Sequence, residues 1–238
     1  MTDVHDIEPG LFASPQRFAG REQAGTPWIV VTGLDGAGKS TLVKRLGRAL
    51  DARTFRLPFN EFVRPCLALS GEGTPFGDIH TDRLLFSLDA RLANYRIRQW
   101  RREEAPLVSQ RGWMDNFIFG AVQGHPYAYT EELLQTRSLE RASAHIFLVS
   151  DPSVAFERIR QDPNKDKYEE PDFMVAQYAQ TLRFFAESSS GNAALANFCK
   201  IPATLIDTSE MTVDQVYDRA WTFIARCEID RLCMPRLS

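Results

Sequence analysis

Gly33-Leu34-Asp35-Gly36-Ala37-Gly38-Lys39-Ser40-Thr41 is the stretch that decides the fold. It reads as a glycine, four residues, then Gly-Lys-Ser, and its flanks are the ones this spacing needs. Upstream, Trp28-Ile29-Val30-Val31 is an apolar run suited to a strand buried on both faces. Downstream, Leu42, Val43, Leu46, Ala49 and Leu50 recur at helical spacing. Strand, glycine turn and helix in this order aim successive backbone N–H groups, and the positive helix end, at one anion. The pattern predicts a bound nucleoside triphosphate, with Gly33, Asp35, Gly36, Ala37, Gly38, Lys39, Ser40 and Thr41 around ATP. Lys39 is expected to reach the terminal phosphates and Ser40 to hold Mg²⁺.

Working outward, strands and helices alternate. Thr54–Leu57 reads as a second strand ended by Pro58, Pro106–Ser109 as a third, Ala144–Val149 as a fourth and Thr204–Asp207 as a fifth. Between them lie helical patterns: a long one with Thr81 or Asp78 as its cap and Leu85, Leu88, Leu92 and Tyr95 on its buried face, then Trp113–Val122, Ser153–Ile159, Phe173–Glu187 and Val213–Arg226. Alternation of this kind predicts an α/β fold, a five-stranded parallel sheet with helices on both faces. Residues 1–26 are expected to be an arm, disordered or draped over a single domain at 27–238. The basic cluster Arg96, Arg98, Arg101 and Arg102 reads as a solvated helix end, and His125 as an ordinary loop residue.

The composition of the 238 residues, 44% hydrophobic and 25% charged, is that of an ordinary globule. A net charge of −3 argues against a surface that coats nucleic acid, so DNA is not the expected partner. No apolar run approaches the ~18 residues of a membrane span. Asp3, Asp6 and Glu8 stand where a leader peptide would carry positive charge, and the four cysteines lack metal-site spacing. The expectation is a cytoplasmic protein with reduced thiols.

In parallel sheets, ligands sit beyond the carboxyl ends of the strands. The residues there are Arg56 and Phe59, Gln110-Arg111, Asp151-Pro152 and Asp207-Thr208-Ser209. Arg111 is the sharpest candidate, because a guanidinium at a strand end can hold an acceptor phosphate bidentately.

Over residues 28–226 the chain resembles the thymidylate kinases, P-loop nucleoside monophosphate kinases. The likeness is carried by Val31-Thr32-Gly33 through Thr41, by Arg56-Leu57-Pro58, and by Leu84-Leu85-Phe86 with Asp89-Ala90-Arg91. It continues in Gln110-Arg111-Gly112 with Asn116, Phe119 and Gln123-Gly124, and in Asp151-Pro152 through Glu157-Arg158-Ile159 and Lys167-Tyr168-Glu169. The resemblance implies transfer of the ATP γ-phosphoryl to a deoxypyrimidine monophosphate, dTMP foremost. It implies Asp35 at the deoxyribose 3′-hydroxyl or at Mg²⁺, Phe86 stacked on the base, Arg91 and Asn116 on its edge, Arg111 on the phosphate and Phe119 on the sugar. Arg56, Phe59 and Tyr168 complete the implied acceptor site. A mobile lid over about 158–170 would supply the transition-state cation from Arg158, Arg160 or Lys165, since Gly36 stands where some members carry an arginine. A homodimer is implied as well.

Four departures bear on the acceptor. Gln110 replaces the family's aspartate, Gly112 replaces an aromatic residue, Asn60 sits near a position where some members carry another phosphate-binding arginine, and Arg91 lies five residues after Phe86 instead of four. Two other readings therefore stay open. One is a related kinase acting on a modified pyrimidine nucleotide, a nucleoside or a base in DNA, and the other is an ATP-binding regulatory protein without transfer activity.

Overall fold

The computed structural model describes residues 25–61, 63, 65–66, 79–103, 105–160 and 170–229. Its elements run β1 (Trp28–Gly33), α1 (Lys39–Ala49), β2 (Arg53–Arg56), α2 (Ile79–Trp100), β3 (Leu107–Gln110), α3 (Trp113–Val122), α4 (Tyr127–Leu134), β4 (Ala144–Val149), α5 (Pro152–Ile159), α6 (Pro171–Ser189), β5 (Ala203–Asp207) and α7 (Val213–Arg226). The five strands form one sheet in the order β2-β3-β1-β4-β5, every neighbouring pair parallel. All five expected strands are present; β1 runs two residues further than expected, to Gly33, and the ends of the others shift by a residue at most. Helix α4 and the single turns at Thr136–Ser138 and Ala193–Leu195 were not expected from the sequence.

Strand β1 is buried at all six positions, and its alternation separates the two cores. Ile29 and Val31 face a cluster with α1 and α7, including Leu42, Leu46, Ala220 and Ile224. Trp28 and Val30 face an aromatic cluster with Phe117, Phe147, Phe184 and Phe198. From β1 the chain passes to β2 and β3 on one side and later to β4 and β5 on the other. The loops that follow β1 and β3 therefore open onto one crevice above the carboxyl ends.

Helix α2 overturns the expected burial. Leu88, Leu92 and Tyr95 lie on its outer face and are 47%, 38% and 70% exposed, with Leu84 beside them, and Leu85 is half-buried. The inner face instead carries Asp82, Arg83, Ser87, Asp89 and Asn94, all buried. Asp89 accepts from Phe59 N, Asn60 N and Asn60 Nδ2 at 2.7–2.9 Å, anchoring the segment after β2. Asn94 Oδ1 accepts from Glu140 N at 2.8 Å. Periodicity alone reported an amphipathic helix but not which face is inside. Thr81 lies within α2 rather than capping it, and Asp78 is outside the described residues.

Arg101 is likewise not part of a solvated helix end. It is buried, donates to Thr26 O at 3.0 Å and pairs with Glu140 at 3.1 Å, so the last residues of the N-terminal segment are tied to the domain. The remainder of that segment, residues 1–24, lies outside the described residues, as does Cys233; Cys66, Cys199 and Cys227 are free thiols. Among the described residues no helix is long and apolar enough to cross a membrane.

His145 on β4 is buried against Phe147 and Phe198, with ring centroids 6.3 and 6.0 Å away. Burial, reinforced by Arg141, pushes its pKa down to about 3. The unfolded chain, titrating near ~6.5, then binds one more proton than the folded one across the window between these values. Stability should fall with pH there by at most about 1.4 kcal/mol per pH unit. Denaturant titrations at pH 6.5 and 4.5 should show wild type losing about 2 kcal/mol more than His145→Phe, which cannot titrate.

Candidate active site

The loop from Gly33 to Lys39 holds three glycines at positive φ, of which Gly36 and Gly38 make the turn itself. Gly38, at φ +92°, precedes α1 and has open space where a side chain would begin. Gly36, at φ +81°, is constrained twice, because a Cβ there would lie 2.3 Å from the Ala155 carbonyl oxygen. That contact explains why no arginine stands at this point of the loop. The exposed Ser40 and Thr41 open α1 beside the turn.

Behind the loop is a row of alternating charges. Lys39 Nζ donates to Leu34 O at 2.7 Å and to Asp35 Oδ1 at 2.8 Å. Arg111 Nη2 reaches both oxygens of the same carboxylate, at 2.9 and 2.8 Å. Arg111 Nη1 then meets Asp115 Oδ1 at 3.3 Å, a carboxylate that also accepts from Thr32 Oγ1 at 2.7 Å and Gly112 N at 2.8 Å. All four charged side chains are buried. Burial alone would raise the pKa of Asp35, but Arg111 and Lys39 overcome it and hold the carboxyl well below the usual range. Lys39 is pushed down from its ordinary value by burial, a shift opposed by Asp35.

Arg111 is delivered to this row by an uncommon backbone, φ +71° for a non-glycine residue. Its N–H donates to Val31 O at 2.8 Å, and its carbonyl accepts from Ser109 Oγ, which itself accepts from Trp28 Nε1. The strand-end position thus aims the guanidinium at the glycine loop, as the sequence suggested. Asp115 was missed. Its only signal was its spacing of four from Arg111, which places it one helical turn into α3.

Next to Arg111 runs a line of aromatic rings. The Arg111 guanidinium lies 4.9 Å from the Phe119 ring centroid, and Phe119 is 6.4 Å from Phe86 and 5.6 Å from Phe173. The Arg83 guanidinium lies 4.8 Å from the Phe86 ring, and its Nη1 donates to Asn116 O at 3.2 Å. Phe86, Phe119, Asn116 and Arg111 therefore do come together.

Two other expected positions, Arg91 and Phe59, do not join them. Arg91 points to Ser138 Oγ at 3.1 Å, because five residues past Phe86 is about 140° round the helix. Arg83, three residues before Phe86, shares its face instead. Phe59 packs on Phe55 and Trp100, with centroids at 6.5 and 5.5 Å, as part of the core. Arg56 is exposed at the end of β2. Arg158 is on α5 and donates to Gly36 O, Thr208 O and Ser209 O at 3.0–3.3 Å. There it walls a cleft of about 290 Å³ with Leu42, Met211, Val213 and Val216. Arg160 is exposed and pairs with Glu157 at 3.5 Å. Lys165, Lys167 and Tyr168 lie outside the described residues.

Fold and site together define a P-loop phosphotransferase: a triphosphate cradle after β1 faces an arginine after β3. A probable thymidylate kinase of Pyrobaculum aerophilum is 30% identical over 158 residues, spanning 62% of this chain and 77% of that protein. Its counterpart in Pyrobaculum calidifontis is 30% identical over 62% of this chain and 76% of its own length. The chain belongs to the thymidylate kinase family. A Methanocaldococcus jannaschii relative, also named a probable thymidylate kinase, is 24% identical over 80% of this chain and 92% of its own length. The solved thymidylate kinase of Candida albicans superposes with a TM-score of 0.69 at 16% identity, covering 87% of this chain and 94% of that one. A deoxyadenosine kinase from M. mycoides, with bound dATP, gives 0.61 at 14% identity over 83% and 98%. These two likenesses speak to the fold alone. No family model matches the chain.

The two loop glycines should respond differently to a methyl group. Gly38→Ala, strained only in its backbone, should cost roughly 1–2 kcal/mol. Gly36→Ala must also displace the Ala155 backbone, and should cost about 3 kcal/mol or more in denaturant unfolding.

Proposed function

We propose that the protein transfers the γ-phosphoryl group of ATP to a deoxypyrimidine nucleoside monophosphate, with dTMP the leading acceptor. The observation that carries this reading is the Arg111 guanidinium turned onto the glycine loop, 2.8 Å from Asp35, the residue that also binds Lys39. Two cations held on either side of one carboxylate are spaced to receive two phosphate groups, one from each substrate.

In this reading the ATP triphosphate lies on the backbone of Gly36–Ser40 with Lys39 on its terminal phosphates. Its base enters the cleft between Arg158 and the apolar wall of Leu42, Met211 and Val216. The acceptor phosphate rests on Arg111, its sugar on Phe119 and its base on Phe86. An acceptor phosphate oxygen attacks the γ-phosphorus, the bond to the β-phosphate oxygen breaks, and ADP and the nucleoside diphosphate leave. The attacking phosphate is already ionised near neutral pH, so no protein base is required, and Gln110 in place of an aspartate is compatible with transfer. Ser40 and Asp35 are an oxygen donor set that suits Mg²⁺, which when bound would offset negative charge on the phosphates. Asp115, in this arrangement, keeps the Arg111 fork oriented.

The outer face of α2 supports a second part of the proposal, a homodimer. Leu84, Leu88, Leu92 and Tyr95 form an apolar stripe over about 16 Å of helix, while the inner face buries polar side chains beside Ala90, Ala93 and Ile97. A helix with that polarity is matched by a second copy of itself across a two-fold axis. Sedimentation should give a dimer for the wild type at micromolar concentration and a monomer for the Leu88→Glu, Leu92→Glu double variant. A wild type that sediments as a monomer contradicts this part.

The acceptor is tested by incubating the protein with ATP, Mg²⁺ and a panel of nucleotides and nucleosides, with products read by mass. Transfer to nucleosides alone, or to none of the panel, contradicts the proposal. Arg111→Lys should lower kcat/KM for the acceptor by about 10²-fold or more, since a point charge cannot replace a planar fork. The KM for ATP should stay within about threefold of the wild type.

A further inference from the structure

The cleft beside the glycine loop has polar atoms in its walls, but the protein itself engages them. Thr208 Oγ1 lies between Ala37 O and Val149 O, at 3.2 and 3.1 Å, and donates there. Arg158 turns Nη1 to Gly36 O and Thr208 Oγ1, both at 3.3 Å, and Nη2 to Thr208 O and Ser209 O at 3.0 and 3.3 Å. The donors of a guanidinium lie in its plane, so these bonds take up its edge and leave its flat face. The backbone from Thr208 to Thr212 is spent in the same way. The N–H groups of Thr208, Ser209, Met211 and Thr212 go to Val149 O, Asp207 Oδ1, Thr208 O and Gln215 Oε1 at 2.8–3.3 Å. Thr208 O, accepting from both Arg158 and Met211, has both lone pairs filled. Thr41, the remaining polar side chain of the lining, opens α1 beside the phosphate turn, and the rest of the wall is Leu42, Met211, Val213 and Val216.

Resting on the kinase reading above, we propose that the donor site takes purine nucleoside triphosphates by ring shape and does not read the base edge, so that GTP serves as a donor alongside ATP. Among the described residues, the cleft offers a base an apolar wall and the face of one cation. Adenine carries an amino group where guanine carries a carbonyl, and a flat face or an aliphatic side chain is indifferent to that exchange. Discrimination of ~10⁴ or more needs a buried polar group that the wrong base leaves unpaired. Here such groups are paired before the base arrives. Ser209 O, bonded to Arg158, loses little when a base offers it nothing. A pyrimidine, with one ring instead of two, covers less of the wall and binds more weakly on that ground alone.

The test measures the affinity of the protein for ATP, GTP and CTP by calorimetry, with Mg²⁺ and no acceptor. The Kd values for ATP and GTP should agree within about tenfold, and CTP should bind at least about fivefold more weakly than ATP. A preference beyond tenfold between the purines, or CTP within fivefold of ATP, overturns the proposal. Arg158→Ala, which removes the stacking face, should weaken both purines and leave their ratio within about threefold of the wild type. Unweakened binding, or a ratio that moves further, overturns the proposal as well; should that variant fail to fold, the wild-type comparison decides alone. The kinase reading falls separately: donors that bind as expected, with no transfer to any monophosphate, overturn that reading and uphold this one.

Discussion

The Asp35 carboxylate, shared between Lys39 and Arg111, is the contact on which the rest of the site depends. It joins the loop after β1 to the residue after β3, and so ties the donor half of the crevice to the acceptor half. Buried ion pairs of this kind seldom add net stability, because desolvating the partners cancels much of their attraction. What the row of four charges supplies is geometry. Each cation is held against a carboxylate at close to hydrogen-bond distance, in an orientation that an incoming phosphate can use without a search.

The same logic accounts for the departures from the family pattern. The carboxylate expected just before the arginine is absent, Gln110 standing there, yet Asp115 supplies one from the first turn of α3. The backbone then accepts a left-handed Arg111, a conformation that costs of order 1–3 kcal/mol and is secured by Val31 O and Ser109 Oγ. Strain at one residue, compensated by bonds to two strands, marks the place where the fold gives up stability for position.

The fold was legible in the sequence because its signals are local. Apolar runs ending in turn residues gave the strands, and the glycine spacing gave the loop. The site was legible where a side chain is aimed by its own strand end, as at Arg111, or by a turn of helix, as at Asn116 and Phe119. It was not legible on α2, whose apolar stripe lies outside and whose polar residues lie inside. An amphipathic pattern carries no sign, and a helix whose inner face serves a site inverts the usual inference. Arg91 lies about 140° round the helix from Phe86 and meets Ser138 instead of the ring cluster, a turn that sequence separation alone does not display. The carbonyl partners of Arg158 could not be foreseen, because backbone acceptors leave no mark on a sequence.

The close approach of Gly36 to the Ala155 carbonyl also couples the loop to helix α5. The obstruction is backbone rather than the flexible end of a side chain, so any larger residue at this position would require α5 to withdraw from the loop. The width of the phosphate cradle is therefore set as much by where α5 stops as by the glycine spacing itself.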